Sequence, residues 1–299
     1  MTTYDFIASN KRKTALIMAV FGVFVLAIGY AVDRYYRTGG AAIMIAAAWS
    51  VASGLASYFT GDKVALLVAG ARPVDGASNP YLHRMVENLC ISTGLPLPKV
   101  YVIDDPAINA FATGRDPEHA SVAVTTGALS RLENEELEGV LAHELSHIRN
   151  YDIRLMTVVI VLVGTITLLA DLIFRMSWHG RGGRRRDSDG AGNLILIIGV
   201  VLMIFAPFIA QLIQLAVSRR REFLADASGA LMTRFPEGLA RALRKIAADH
   251  RPMARASAAT AHLFIASPFA GKALASIFST HPPIEERIAA LEKMAGSKV

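Results

Sequence analysis

His143 and His147 stand four residues apart, with Glu144 between them, in the stretch "VLAHELSHIR" from Val140 to Arg149. On an α-helix, positions i and i+4 share a face and lie about 6 Å apart along the axis, so two such imidazoles can bind one ion. Glu144 follows the first histidine directly, which brings its carboxylate to a water beside the metal rather than to the metal. This H-E-x-x-H spacing is that of a zinc peptidase helix with the glutamate as general base. An amphipathic helix can also carry two histidines without any such role, and a third ligand separates the two readings.

Catalytic zinc keeps three protein ligands and one open position, and two histidines with one glutamate form a recurrent set. The stretch "SRRREFLADASGA" offers Glu222, with Asp226 one helical turn later on the same face. Glu222 is then the third ligand, and Asp226 the acceptor for the N–H of a ligand histidine. The competing reading pairs Glu222 with the adjacent arginines on a solvated helix. Asp152 is either another such acceptor or a helix terminator.

Further candidates are weaker. Asn109 in "INAFATG" is a contact for substrate backbone or a turn asparagine, and His281 in "STHPP" stabilises an oxyanion or caps a turn. "SVAVTTG" is expected to be an edge strand able to pair with an extended peptide. His83, His119, His179, His250 and His262 have no ligand partner at a recognisable spacing and are expected to be structural or exposed.

The elements that must position these residues are legible nearby. "NEELEGV" supplies Asn134 as an expected N-cap, with Glu135 and Glu136 in the first turn, where the helix dipole favours negative charge. Leu137, Val140, Leu141, Leu145 and Ile148 then form an apolar stripe at steps of three and four residues. "NPYLHRMVENLCISTGL" predicts a helix stopped at Gly94, while "PLPKVYVIDDP" and "ASVAVTTG" predict strands. The soluble part is therefore α+β.

Much of the chain is not soluble in character. Of 299 residues, 53% are hydrophobic and 19% charged, and the mean hydropathy is +0.39. Thr14 to Val32 and Gly39 to Gly61 are uncharged runs long enough to cross about 30 Å of hydrocarbon. Residues 1–61 are thus expected to be an uncleaved transmembrane hairpin, and residues 62–299 the domain that carries the chemistry. That domain is interrupted by apolar segments 153–174 and 194–218, each compromised as a free span by Asp171 or by Pro207, Gln211 and Gln214.

The net charge of +6 comes from clusters beside apolar segments, without a nucleic-acid motif, so it is assigned to membrane orientation rather than to nucleic acid. Lys11, Arg12, Lys13, Lys63, Arg72, Arg149 and Arg219 to Arg221 favour a cytosolic active site. Five arginines in the loop from Arg175 to Arg186 oppose a simple four-span topology. No G-x-x-x-x-G-K-[ST] loop is present, so no nucleotide is expected. Cys90, the single cysteine, is expected to be a buried free thiol.

Together "HELSH", "SRRREFLAD" and "FSTHPPIEERIAAL", with "NAFATG" and "SVAVTTG" upstream, resemble the HtpX family of membrane zinc metallopeptidases, which is related to the CAAX prenyl proteases. The resemblance covers nearly the whole chain. It implies a mainly helical α+β membrane protein with transmembrane helices and a zincin-like catalytic domain containing a small β-sheet. It also implies one Zn2+ held by His143, His147 and Glu222, with Glu144 as base and Glu222 and Asp226 forming the family's E-x-x-x-D element. A multi-pass protein of the bacterial inner membrane follows, its active site facing the cytoplasm and its partners the lipid bilayer and unfolded or damaged membrane proteins. Two alternatives stand beside this: a membrane scaffold or chaperone with a structural zinc, and a protease that processes prenylated proteins.

Overall fold

The two uncharged runs lie inside the first two helices, α1 (Thr3–Tyr36) and α2 (Ala41–Ala69). The computed structural model describes residues 3–179, 219–255, 257, 259–269 and 282–296. Segment 194–218, the arginine-rich loop from Arg181 to Arg186 and His281 therefore lie outside the described residues. Asp33 Oδ1 accepts the Gly40 N–H at 2.7 Å in the turn between the helices, where Gly39 and Gly40 take positive φ.

Both helices are long and apolar enough to cross a membrane. They also present bare hydrocarbon outward: Val23 and Ile45 are each 69% exposed and Val51 63%. A surface of this kind suits lipid rather than water.

The inner face of α1, through Ile17, Phe21 and Val25, packs on Leu155, Val158, Val159 and Leu162 of a later helix, α6 (Asp152–His179). Against α2, the same helix comes close enough that a Cβ on Gly61 would meet the Thr157 side chain at 2.7 Å. There the Ser57 hydroxyl donates to the Val158 carbonyl at 3.0 Å. Segment 153–174 is thus helical throughout.

Helix α2 does not end at residue 61. Asp62 and Lys63 continue it, because Ala65, Leu66 and Ala69 pack against Ile103, Phe111 and Met156, and Gly70 then stops it with a φ of 69°.

The sheet contains β1 (Ala71–Pro73), β2 (Lys99–Ile103), β3 (Ala110–Gly114) and β4 (Ala120–Thr125), in the order β1-β2-β4-β3. Strands β2 and β4 are parallel, with Val100 opposite Val122, while β3 runs antiparallel to β4, with Ala112 opposite Val122. This corrects the expectation for "SVAVTTG". That segment is the inner strand β4, buried at every position, as a strand covered on both faces must be. Among the described residues the edges are β1 and β3, and the one beside β4 is β3, the "AFATG" segment.

Around the sheet pack α3 (Pro80–Thr93), α4 (Thr126–Arg131), α5 (Asn134–Arg149), α7 (Arg219–Thr233), α8 (Pro236–Ala248) and α9 (Ile284–Gly296). Asn79 caps α3 by accepting the Leu82 N–H at 3.1 Å, and Gly94 ends it with a φ of 68°. Leu137, Val140, Leu141, Leu145 and Ile148, the predicted stripe of α5, are all within the main core with Leu239 and Leu243 of α8.

Candidate metal centre

Helix α5 starts one residue earlier than its sequence suggests. Its N-cap is Glu133, whose N–H donates to the Glu136 carboxylate at 2.8 Å, while Asn134 instead accepts the Tyr81 hydroxyl at 2.6 Å. Lys245 of α8 holds the buried Glu136 at 2.6 Å, which fixes the cap from outside the helix. The buried apolar stripe then sets the rotation of α5, and His143, Glu144 and His147 are carried into the interior at 1%, 1% and 4% exposure.

Helix α7 crosses α5 at Gly229, where a Cβ would stand 2.9 Å from the His143 nitrogen. Only a residue without a side chain allows this approach, and it brings Glu222 and Asp226 over the two histidines. His143 Nε2 and His147 Nε2 are 3.2 Å apart, and Glu222 lies 3.8 Å from the first and 3.5 Å from the second. Tetrahedral zinc with bonds of about 2.0–2.1 Å requires ligand atoms about 3.3 Å apart. The donor set and its spacing therefore fit one zinc-sized ion.

The outer nitrogens are also fixed. His143 Nδ1 donates to Asp226 Oδ1 at 2.9 Å, and His147 Nδ1 donates to Asp152 Oδ2 at 3.0 Å. Both contacts leave Nε2 of each ring free to face an ion. Asp152 is therefore both the first residue of α6 and the partner of His147.

Burial lowers the basicity of His143 to about 4, even against the pull of Asp226. Burial acts the same way on His147, but Asp152, Glu222 and Glu144 outweigh it and raise the group to about 9.

Glu144 is different again. Its Oε1 is buried with no hydrogen-bond partner among the described residues, and loss of solvent pushes its carboxyl up to about 7. A buried carboxylate oxygen left without a partner is costly, so this oxygen calls for a donor beyond the described residues, such as a water or a substrate. The Ala112 N–H of β3 approaches the same carboxyl and partly opposes the rise.

The outer edge of β3, unpaired by any described strand, is thus turned toward the site. At one end the Ala110 carbonyl accepts the Ile265 N–H at 3.0 Å, and at the other the Gly114 N–H donates to Thr157 Oγ1 at 3.1 Å. Alternation along the strand points Ala112 the same way, between those two closed positions.

Arg287 of α9 completes the arrangement and was not singled out by the sequence. Its Nε donates to Asp226 Oδ2 at 2.8 Å and its Nη2 to Asp226 Oδ1 at 2.7 Å. Its Nη1 reaches the Ile265 carbonyl at 3.1 Å and lies 3.5 Å from Glu222. The clue in "EERIAAL" is only that this arginine lies on the apolar face of α9, near Leu291 in the core.

Asn109 is buried and committed within the protein. Its amide donates to the Ala266 carbonyl at 3.1 Å, and its Oδ1 accepts the Ala110 N–H at 3.1 Å, so it ties the segment around Ile265 to the start of β3. His262 is buried, with Nε2 at 3.1 Å from the Met156 carbonyl. Asp116, Glu118 and His119 also lie close together, but Glu118 and His119 are exposed and the His119 ring is engaged by Asp116 at 2.6 Å.

Comparison with known proteins agrees with this geometry. Residues 76–295 match the model of Peptidase family M48. A protein named Protease HtpX homolog from Caldanaerobacter subterraneus subsp. tengcongensis is 49% identical over 295 residues, covering 98% of each chain. The protein of the same name from Dictyoglomus turgidum is 45% identical, over 98% of this chain and 95% of its own. Among solved structures, S. mikatae Ste24p shares the fold, with a TM-score of 0.50, 19% identity, and coverage of 97% of this chain and 67% of that one. A mainly helical chain with a small mixed sheet, apolar N-terminal helices and a His/His/Glu cluster able to hold a metal is thus a membrane metalloprotease, and it belongs to Peptidase family M48.

Proposed function

We propose that the chain is an ATP-independent zinc endopeptidase in which His143, His147 and Glu222 hold one Zn2+ and Glu144 is the general base. The observation that carries this reading is the triangle of ligand atoms beside a buried Glu144 oxygen that has no partner among the described residues. Bound there, zinc supplies Lewis acidity toward a peptide carbonyl and lowers the pKa of a water toward about 7.

The protein's own groups do the remaining work. Asp226 and Asp152 hold the two imidazoles in the tautomer that offers Nε2. Glu144, kept near neutrality by burial, takes a proton from the attacking water and delivers it to the leaving amine. An extended substrate pairs with the free edge of β3 at Ala112, through main-chain hydrogen bonds that make little demand on side chains.

Such recognition suits unfolded segments. Together with the apolar hairpin, it supports a role in removing misfolded or damaged membrane proteins at the bacterial inner membrane. The basic residues around Lys11 and Arg219 support a multi-pass arrangement with the site on the cytoplasmic side. His281 remains a candidate for stabilising the oxyanion.

Purified full-length chain loaded with zinc should cleave an unfolded membrane protein without ATP, lose that activity to a chelator and regain it with zinc. Cleavage that survives complete metal removal would sink the proposal. A structural zinc would need a fourth protein ligand, and the group contains three among the described residues. A prenylated peptide cleaved far faster than the unfolded protein would favour the narrower processing role.

A further inference from the structure

The first membrane helix reaches the metal centre. Asn10, near the base of α1 and 2% exposed, donates from Nδ2 to Asp152 Oδ1 at 2.7 Å. The same nitrogen donates to the Asn150 carbonyl at 2.9 Å. Asp152 uses its other oxygen, Oδ2, to accept the His147 Nδ1–H. One carboxylate thus joins a residue of the N-terminal helix to an imidazole more than 130 positions away in sequence.

The segment that Asn10 grips is the tight bend from α5 into α6. Tyr151 occupies the left-handed region there, with a φ of 59°, which a non-glycine residue adopts only when its surroundings hold it. Lys11 of α1 lies 4.4 Å from the centre of the Tyr151 ring, and Arg154 lies 5.0 Å from it. Without this bend Asp152 would continue along the α5 axis and could not return beneath His147.

Asn10 also supplies what a cation would not. Arg221 Nη1 lies 3.7 Å from the same Asp152 oxygen, and Lys13 is close enough to feel the Asp152 charge. If the amide were lost, the carboxylate would turn toward these cations and draw Oδ2 away from the His147 ring. A neutral donor at this position balances the carboxylate between the ring and the arginine.

We infer that Asn10 is a positioning residue for the metal centre, acting through Asp152 to orient His147, so that the N-terminal membrane helix is part of the scaffold that holds the metal. This rests on His147 being a metal ligand, as proposed above.

The test is zinc affinity of the full chain in detergent, measured by competition with a chromophoric chelator, for wild type, Asn10→Ala, the isosteric Asn10→Asp and Ser57→Ala. Ser57→Ala removes a different buried hydrogen bond between the hairpin and α6, and so controls for a merely structural tie. Both Asn10 variants should bind zinc about tenfold more weakly, in the range typical when a group supporting a ligand is altered. Ser57→Ala should stay within about twofold of wild type.

Asp152→Asn should itself weaken binding, and adding Asn10→Ala to it should cost less than about twofold more, because the two residues act in series. If Asn10→Asp folds and both it and any folded Asn10→Ala bind zinc as tightly as wild type, the inference is overturned while the metallopeptidase reading stands. An equal loss in Ser57→Ala would also overturn it. Wild type that takes up no zinc would overturn the metallopeptidase reading and this inference together.

Discussion

The guanidinium of Arg287 meets the carboxylate of Asp226 as a fork, Nε to Oδ2 at 2.8 Å and Nη2 to Oδ1 at 2.7 Å. Because Asp226 also accepts the His143 Nδ1–H, the last helix of the chain helps set the ring on α5. Lysine can keep the charge here but not the two parallel bonds. Arg287→Lys should therefore fold and bind zinc about tenfold more weakly. Arg287→Ala leaves Asp226 buried without its cation and should cost about 3–5 kcal/mol. Denaturant unfolding and chelator competition measure the two effects separately.

The contact between α5 and α7 depends on Gly229. An alanine there would place its Cβ 2.9 Å from the His143 nitrogen, and backbone cannot yield as a flexible side chain would. Gly229→Ala should lower stability by about 1–3 kcal/mol. Because α7 carries Glu222 and Asp226, it should also reduce the zinc retained after dialysis. Gly164, where a Cβ would meet nothing within 4 Å among the described residues, supplies the comparison, and Gly164→Ala should leave zinc content unchanged.

Cys90 is 3% exposed, and burial pushes its thiol up to about 11, with Glu87 adding to the rise. The native protein should therefore resist a thiol reagent at pH 8 that modifies the unfolded chain promptly. The sign of the pH effect follows. With the folded value above the ordinary thiol value of 9.0, the contribution to stability is present below pH 9 and is lost as pH rises toward 11. Rapid labelling of the folded protein at pH 8 would show that this side of α3 opens.

A silent native cysteine makes topology measurable. Ala77 is exposed in the turn between β1 and α3, so on the proposed topology Ala77→Cys introduces a reactive thiol on the side of the metal centre. A membrane-impermeant maleimide added to intact bacterial cells lacking their outer membrane should leave it unmodified, and should label it once the inner membrane is opened. Labelling before permeabilisation would place the site on the opposite face.

Much of this site could be read from spacing because it is built on helical periodicity. Two histidines at i and i+4, and Glu222 with Asp226 at the same interval, declare their shared faces without any knowledge of the fold. The apolar stripe of α5 and the glycine stop of α3 were legible for the same reason.

What the sequence hid is tertiary. Whether "SVAVTTG" or "AFATG" forms the edge depends on which strand returns beside which, and β4 lies inside because β2 pairs with it in parallel. Arg287 looks like one more charge in a polar helix until α9 turns it inward. Asn10 looks like a polar residue before a membrane span until the α5–α6 bend meets it. The N-cap of α5 falls on Glu133 rather than Asn134, where Lys245, distant in sequence, holds Glu136 in place.

The central claim is that Glu144 does chemistry beside a metal held by other residues. Glu144→Gln keeps the shape of the side chain and removes its ability to take a proton. Metal content and cleavage of an unfolded membrane protein, measured on the same purified samples, test the claim directly. The account predicts one zinc per chain in both proteins, with cleavage by the variant reduced by a factor of about 10²–10⁴. A variant that retains its zinc and cleaves at the wild-type rate would contradict it.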